Sequence, residues 1–199
     1  LHRFPLLLVA LLTLPAALLA QDPAPEVGPP LAHFAAQRVA IMPAQLFRAD
    51  TIGWSREASW PTLRAELDAA LAAALKERGM GTRWAYAEDV VRTAKRNPIY
   101  TSDPTALGVG RWRGTPPKPG ETIAPILADN LRPFTALGDT RYALIPVELR
   151  GDGESVILRL VLVDTRARTV AWYADLRGVA GPTMIEALAN GVADLFIEP

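Results

Sequence analysis

The chain has 199 residues, 21 Lys plus Arg against 21 Asp plus Glu, and half of its residues are hydrophobic. That length supports one domain with a real core, and the neutral balance excludes a generally basic, nucleic-acid-binding surface. With no Cys and two His, a disulfide framework, a lipidated Cys and the usual zinc sites are excluded as well.

Residues 1–20 run from Leu1-His2-Arg3 through an apolar stretch, Phe4 to Leu19, to Ala20 before Gln21-Asp22. A short basic end, an apolar run and a small residue before a polar break form the pattern of a secretory signal peptide cut after Ala20. The competing reading is an uncleaved anchor, although Pro5 and Pro15 interrupt the run. No later stretch is long and apolar enough to span a membrane. The expectation is therefore a periplasmic or secreted protein with no membrane span after cleavage. Residues 21–30 hold four prolines and read as an extended linker. Residues 31–199 read as a single globular domain.

Arg38 to Pro43 reads as a buried first strand, and residues 44–59 as a loop carrying Gly53 and Trp54. Ser59 caps a helix that opens with Trp60-Pro61. Leu63, Leu67, Leu71 and Leu75 give it one apolar face, and Gly79 ends it. Thr82 to Tyr86 is a candidate strand and Glu88 to Arg96 a short helix stopped by Asn97-Pro98. Residues 97–120 are rich in Pro and Gly and lack periodicity, which in a domain this size marks a functional or mobile segment. Helical spacing resumes over Ile123 to Leu137, with Pro133 expected to end or kink it. Arg141 to Arg150 and Ser155 to Val163 are strands joined at Gly151-Asp152-Gly153-Glu154. The second is nearly all apolar except for Arg159, hence buried on most of both faces. Thr169 to Arg177 alternates, placing Val170, Trp172, Ala174 and Leu176 on one face and Tyr173 and Asp175 on the other. Ile185, Leu188, Val192 and Leu195 stripe a last helix after Gly181-Pro182. The fold class is α+β, an α/β sandwich. It has a mixed sheet with a C-terminal antiparallel meander and helices packed mainly on one face.

Chemistry is sparse. His2 leaves with the signal peptide, and His33 reads as a surface residue rather than the base of a triad. Ser55, Ser59, Ser102 and Ser155 lack a nucleophile-elbow context. Gly79-Met80-Gly81 and Gly108-Val109-Gly110 lack the rest of a phosphate-loop pattern. Glu88 and Asp89 complement a helix dipole, Asp164 caps a turn, and Asp129, Glu148 and Asp175 show no partner. No cofactor or metal is indicated. The segment Gly108 to Gly114 is the leading surface candidate, because Trp and Arg are favoured interface anchors. Arg111, Trp112 and Arg113 are its contact residues, with Trp54 as a weaker candidate. The alternative is that Trp112 tucks under its own loop and the arginines are solvated.

The stretch from Arg141 to Phe196 carries Arg-Tyr-Ala-Leu-Ile-Pro-Val, an apolar strand ending in Val-Asp-Thr, then Thr-Val-Ala-Trp-Tyr and a closing helix. With the early strand Val39-Ala40-Ile41-Met42-Pro43, it resembles a group of bacterial envelope domains. The group includes the periplasmic part of the curli secretion channel CsgG, the penicillin-binding-protein activator LpoB and the N-terminal domain of TolB. The resemblance implies a binding or assembly module of the envelope without catalytic residues. The expected partner is an envelope protein, with a second copy of the chain as a further possibility. Two readings stand beside this one: a periplasmic small-molecule or glycan binder whose pocket the same loop closes, and an enzyme using carboxylates or Arg.

Overall fold

A five-stranded sheet carries apolar side chains on both faces, and each face has its own cover. The computed structural model describes residues 29–48 and 59–197. The expected signal peptide, most of the expected linker and Trp54 lie outside these residues. The elements are α1 (Ala32–Ala35), β1 (Val39–Ile41), β2 (Leu46–Arg48), α2 (Trp60–Leu75), α3 (Ala87–Arg96) and α4 (Pro125–Leu137). They continue with β3 (Tyr142–Asp152), β4 (Ser155–Asp164), β5 (Thr169–Val179) and α5 (Met184–Asp194). β3, β4 and β5 form the expected antiparallel meander, and β1 and β2 both pair parallel to the outer edge of β3.

The leucine stripe of α2 and Ile185, Leu188 and Val192 of α5 pack on Leu144, Leu158, Leu160 and Leu162. On the other face Ala143, Ile145, Val147, Val161 and Val163 meet Leu127, Leu131 and Phe134 of α4. Leu107, Val109 and Trp112 of the irregular segment and Val90 of α3 complete that second core. The period-2 geometry of a strand sends alternate residues of β4 into the two cores, which is why its sequence is almost continuously apolar.

Local chemistry explains most boundaries. The Ser59 hydroxyl accepts from the Thr62 N–H at 3.4 Å, and Pro61 sits in the first turn of α2. A π turn over residues 76–80 extends the helix until Gly79, at φ 86°, turns the chain out. Asp89 accepts from the Tyr86 N–H at 3.1 Å to cap α3, and Arg92 pairs with both Glu88 and Asp89. The acids at that helix start are thus capping groups.

Three expectations are corrected, and one, at Pro133, is narrowed. Thr82 to Tyr86 forms one bridge rather than a strand. Ala85 exchanges hydrogen bonds with Val39 and Ile41 at 3.0 and 2.7 Å, and Tyr86 already caps the next helix. Residues 46–48, expected as loop, form β2, a strand too short to show alternation and defined only by its pairing with β3. Of the end or kink expected at Pro133, the end does not occur, and α4 runs on past it. The proline forgoes one helical hydrogen bond, while burial of Leu131, Phe134 and Thr135 around it holds the helix to Leu137. Val170 does not share a face with Trp172, because the β4–β5 register shifts between Leu162 and Val163. That bulge turns Val170 into the second core beside Tyr173 and leaves Trp172 and Leu176 on the first.

Pro146 lies at a second irregularity, where the β3–β4 register shifts before Glu148. A proline in a central strand has no N–H to give the ladder, and a bulge is where it is tolerated. Its carbonyl still accepts from the Gln45 N–H at 2.9 Å, on the Met42–Gln45 link between β1 and β2.

Asp68 on α2 ties the helix to that link by accepting from the Ala44 N–H at 2.9 Å. Burial pushes its carboxyl up to about 6, against the pull of that hydrogen bond and of Arg64. A raised folded pKa means the ionised form is disfavoured by folding. The domain therefore loses stability as the pH rises from the unfolded value near 3.8 through about 6. Asp68→Asn keeps an acceptor without the charge. It should raise the unfolding free energy at pH 8 by up to about 3 kcal/mol and leave it unchanged at pH 4, measured by urea denaturation at the two pH values.

Candidate functional site

The irregular segment 97–120 is strapped across the second core by buried polar side chains. Gln45, 3 % exposed, donates from Nε2 to the carbonyls of Pro43 and Pro104 at 2.6 and 2.9 Å and accepts from the Leu107 N–H at 2.9 Å. Asn130 on α4 donates to the Leu107 carbonyl at 3.1 Å. Gly108, at φ 87°, turns the chain against Ile126. A single turn of 3-10 helix over Gly110–Trp112 follows.

Arg159 is the central clip. Its side chain is 5 % exposed. Nη1 donates to the carbonyls of Trp112 and Arg113 at 2.6 and 3.2 Å, while Nε and Nη2 form a fork on Asp175 at 2.7 Å each. Glu148, Arg159 and Asp175 occupy one cross-strand row through β3, β4 and β5. Arg150 closes the network, 3.1 Å from Asp175 and 3.4 Å from Glu148. The Arg159 fork, with Arg150 adding to it, holds the Asp175 carboxyl below the usual carboxylate range, and the Asp175 fork holds Arg159 above its ordinary value. Two residues without a visible partner in the sequence, Glu148 and Asp175, thus meet the one charge inside an apolar strand. The signal was Arg159 itself, because a charge in a buried strand needs a partner.

The segment's own candidates separate. Trp112 is 1 % exposed and packed in the second core, so its indole is a structural post rather than a surface anchor. Its Nε1 is buried with no hydrogen-bond partner. The physical reason is that Trp112 belongs to the same apolar core as Ile145, Val161 and Val163, where a large aromatic buries more surface than any other residue of the segment. Arg111 is ion-paired with Glu121. Arg113 is exposed, and its guanidinium has no partner among the described residues. It lines an open groove with Arg48, Glu148, Arg150 and Arg159.

Sequence reasoning missed the segment's other end. Ile99 is 90 % exposed and Tyr100 76 % exposed. Tyr100 forms one wall of a mainly apolar groove whose other wall is α4, through Pro133, Ala136 and Leu137. Leu137 and Ile126, both exposed, lie on the same helix face by their spacing. Burial cannot be read from the local pattern of a segment without periodicity, so the apolar residues that face outward were not separable from those that face in. Among the described residues there is no cluster of three or more His, Asp or Glu placed to hold a metal. No described helix is long and apolar enough to cross a membrane.

The geometry defines a mixed-sheet α+β domain with a rigid strap over one face. No family model matches the chain, and no curated protein matches its sequence. Solved structures resemble it at low identity. The LpoB C-terminal domain from Salmonella enterica superposes with TM-score 0.42 at 9 % identity, over 78 % of this chain and 87 % of that one. PelC from Paraburkholderia phytofirmans, solved as a dodecamer, gives 0.43 at 13 % identity over 86 % and 94 %. Lipoprotein GNA1162 from Neisseria meningitidis gives 0.41 at 16 % identity over 79 % and 96 %. LpoB stands in the group of envelope domains that the sequence resembles. The fold class rests on the chain's own strand order and packing.

Trp112→Ala should destabilise the domain by about 3–5 kcal/mol through the cavity it leaves. Arg113→Ala should stay within about 0.5 kcal/mol of the parent. Urea denaturation of the two variants checks both.

Proposed function

We propose that the chain is an exported, non-enzymatic binding or assembly module that meets another envelope protein through the 97–120 segment. The observation that carries this is an exposed aromatic and aliphatic pair, Ile99 and Tyr100, beside an apolar groove on α4. Contiguous exposed apolar surface of this kind favours a protein contact, and Tyr and Arg are favoured anchors there. The strap supports this role, since Gln45 and Arg159 hold its middle in place and little ordering entropy remains to be lost on binding. Arg113 contributes an unpaired cation at the rim, Arg111 stays paired with Glu121, Trp112 props the segment from below, and Trp54 remains a candidate contact. A second copy of the chain is the other occupant this surface admits.

The test is in-cell crosslinking of tagged protein in the envelope fraction, with partners identified by mass spectrometry. A specific partner should be lost in Tyr100→Asp, at an unchanged melting temperature. Equal recovery from parent and variant would remove the segment from the contact. Recovery of the chain alone, again lost in the variant, would identify the partner as a second copy.

A further inference from the structure

We propose that the groove between the C-terminal half of α4 and the β4–β5 turn is an anion site for a phosphate-bearing ligand. Arg132 of α4 and Arg166 and Arg168 of the turn line it together. All three residues are exposed, and none of the three guanidiniums has an ionic or hydrogen-bond partner among the described residues. Asp139 also lines the groove and is ion-paired with Arg38, and Asp164 is paired with Arg141 at 2.5 Å. Three arginines therefore share one groove with a single carboxylate that already pairs with Arg38, and their mutual repulsion is relieved when an anion enters.

The turn that carries two of them is built rigidly. Asp164 accepts from the N–H groups of Arg166 and Ala167 at 3.0 and 3.1 Å, and Thr165 donates from Oγ1 to the Arg141 carbonyl at 2.7 Å. The Arg168 carbonyl accepts from the Ile123 N–H at 3.0 Å. Burial pushes the Asp164 carboxyl up, but the Arg141 fork and the two turn amides together hold it below the usual carboxylate range, so it stays an acceptor. Arg168 itself adopts φ 56°, a left-handed conformation that glycine takes at no steric cost. The chain holds a long cation where the backbone would favour no side chain at all, and such local strain clusters at ligand sites. Thr140, 8 % exposed, also lines the groove, and its Oγ1 is buried with no hydrogen-bond partner.

The number of forks selects the ligand chemistry. A carboxylate satisfies one guanidinium in a bidentate pair, whereas a tetrahedral phosphate offers oxygens to several at once and carries up to two charges. The source is either a soluble phosphorylated molecule or the headgroup of an anionic phospholipid. Arg132 also borders the Tyr100 groove, so the test leaves it in place and alters only the turn.

Inorganic pyrophosphate is titrated into the isotopically labelled chain and followed by amide shifts of residues 164–168 and Thr140. In parallel, the chain is floated with phosphatidylcholine vesicles with and without phosphatidylglycerol. Saturable shifts on the turn, weakened at least about tenfold in Arg166→Gln/Arg168→Gly, support the site and a soluble source. Flotation only with phosphatidylglycerol, lost in the same variant and at raised salt, supports the headgroup. Arg168→Gly relaxes the backbone, so the variant should keep its melting temperature and a loss of binding is not a loss of fold. Tyr100→Asp should bind pyrophosphate like the parent, which separates this site from the protein contact. No binding to either probe, or equal binding by the double variant, overturns the proposal.

Discussion

The second face of this domain depends on one buried guanidinium. Arg159 sits in the middle of a strand whose neighbours enter two apolar cores, where an unpaired charge would cost several kcal/mol or more. Four of its five donors are met by a fork on Asp175 and by two main-chain carbonyls of the strap. The carbonyls are as necessary as the carboxylate, since the Asp175 fork leaves Nη1 to be satisfied. Closing the strap over the sheet is therefore part of stabilising the sheet's own charge, and the strap's conformation follows from that requirement.

That coupling gives a long irregular segment the rigidity of a secondary element. Gln45 does the same at the Pro104–Leu107 stretch, where a buried amide replaces the ladder a strand would have supplied. Between these clips Val109 and Trp112 complete the second core, and beyond them Ile99 and Tyr100 face solvent. Buried polar bonding thus fixes the frame, apolar burial holds the middle of the strap down, and the exposed apolar end is left for contact. The basic groove on the other flank of α4 follows a different logic, because its arginines are exposed and unpaired among the described residues. An apolar groove and a charged groove thus flank one helix, α4.

Much of this was legible in the chain. The meander, its two turns, the leucine face of α2, the cap at Ser59 and the stop at Gly79 all follow from period, propensity and turn chemistry, which act over a few residues. The lone Arg159 in an apolar strand was visible too, although its partners were not. Asp175 lies sixteen residues away and the Trp112 carbonyl forty-seven, separations over which no local pattern carries information. The same distance problem hid β2, which exists only because β3 pairs with it, and the bulge that moves Val170 into the second core.

Sequence by itself determined the longer elements, the apolar faces of the helices and the poverty of nucleophiles and metal ligands, since these depend on residue type and short-range spacing. Only the tertiary structure decided which side of the strap faces water. It buried Trp112 and exposed Tyr100, because the first joins the second core and the second stands at a groove against α4. It also gathered Arg132 with Arg166 and Arg168, thirty-odd residues apart in the chain, around one groove. The physical reason is the same in both cases: side-chain surroundings are set by the packing of whole elements, and a segment without periodicity holds no local record of that packing.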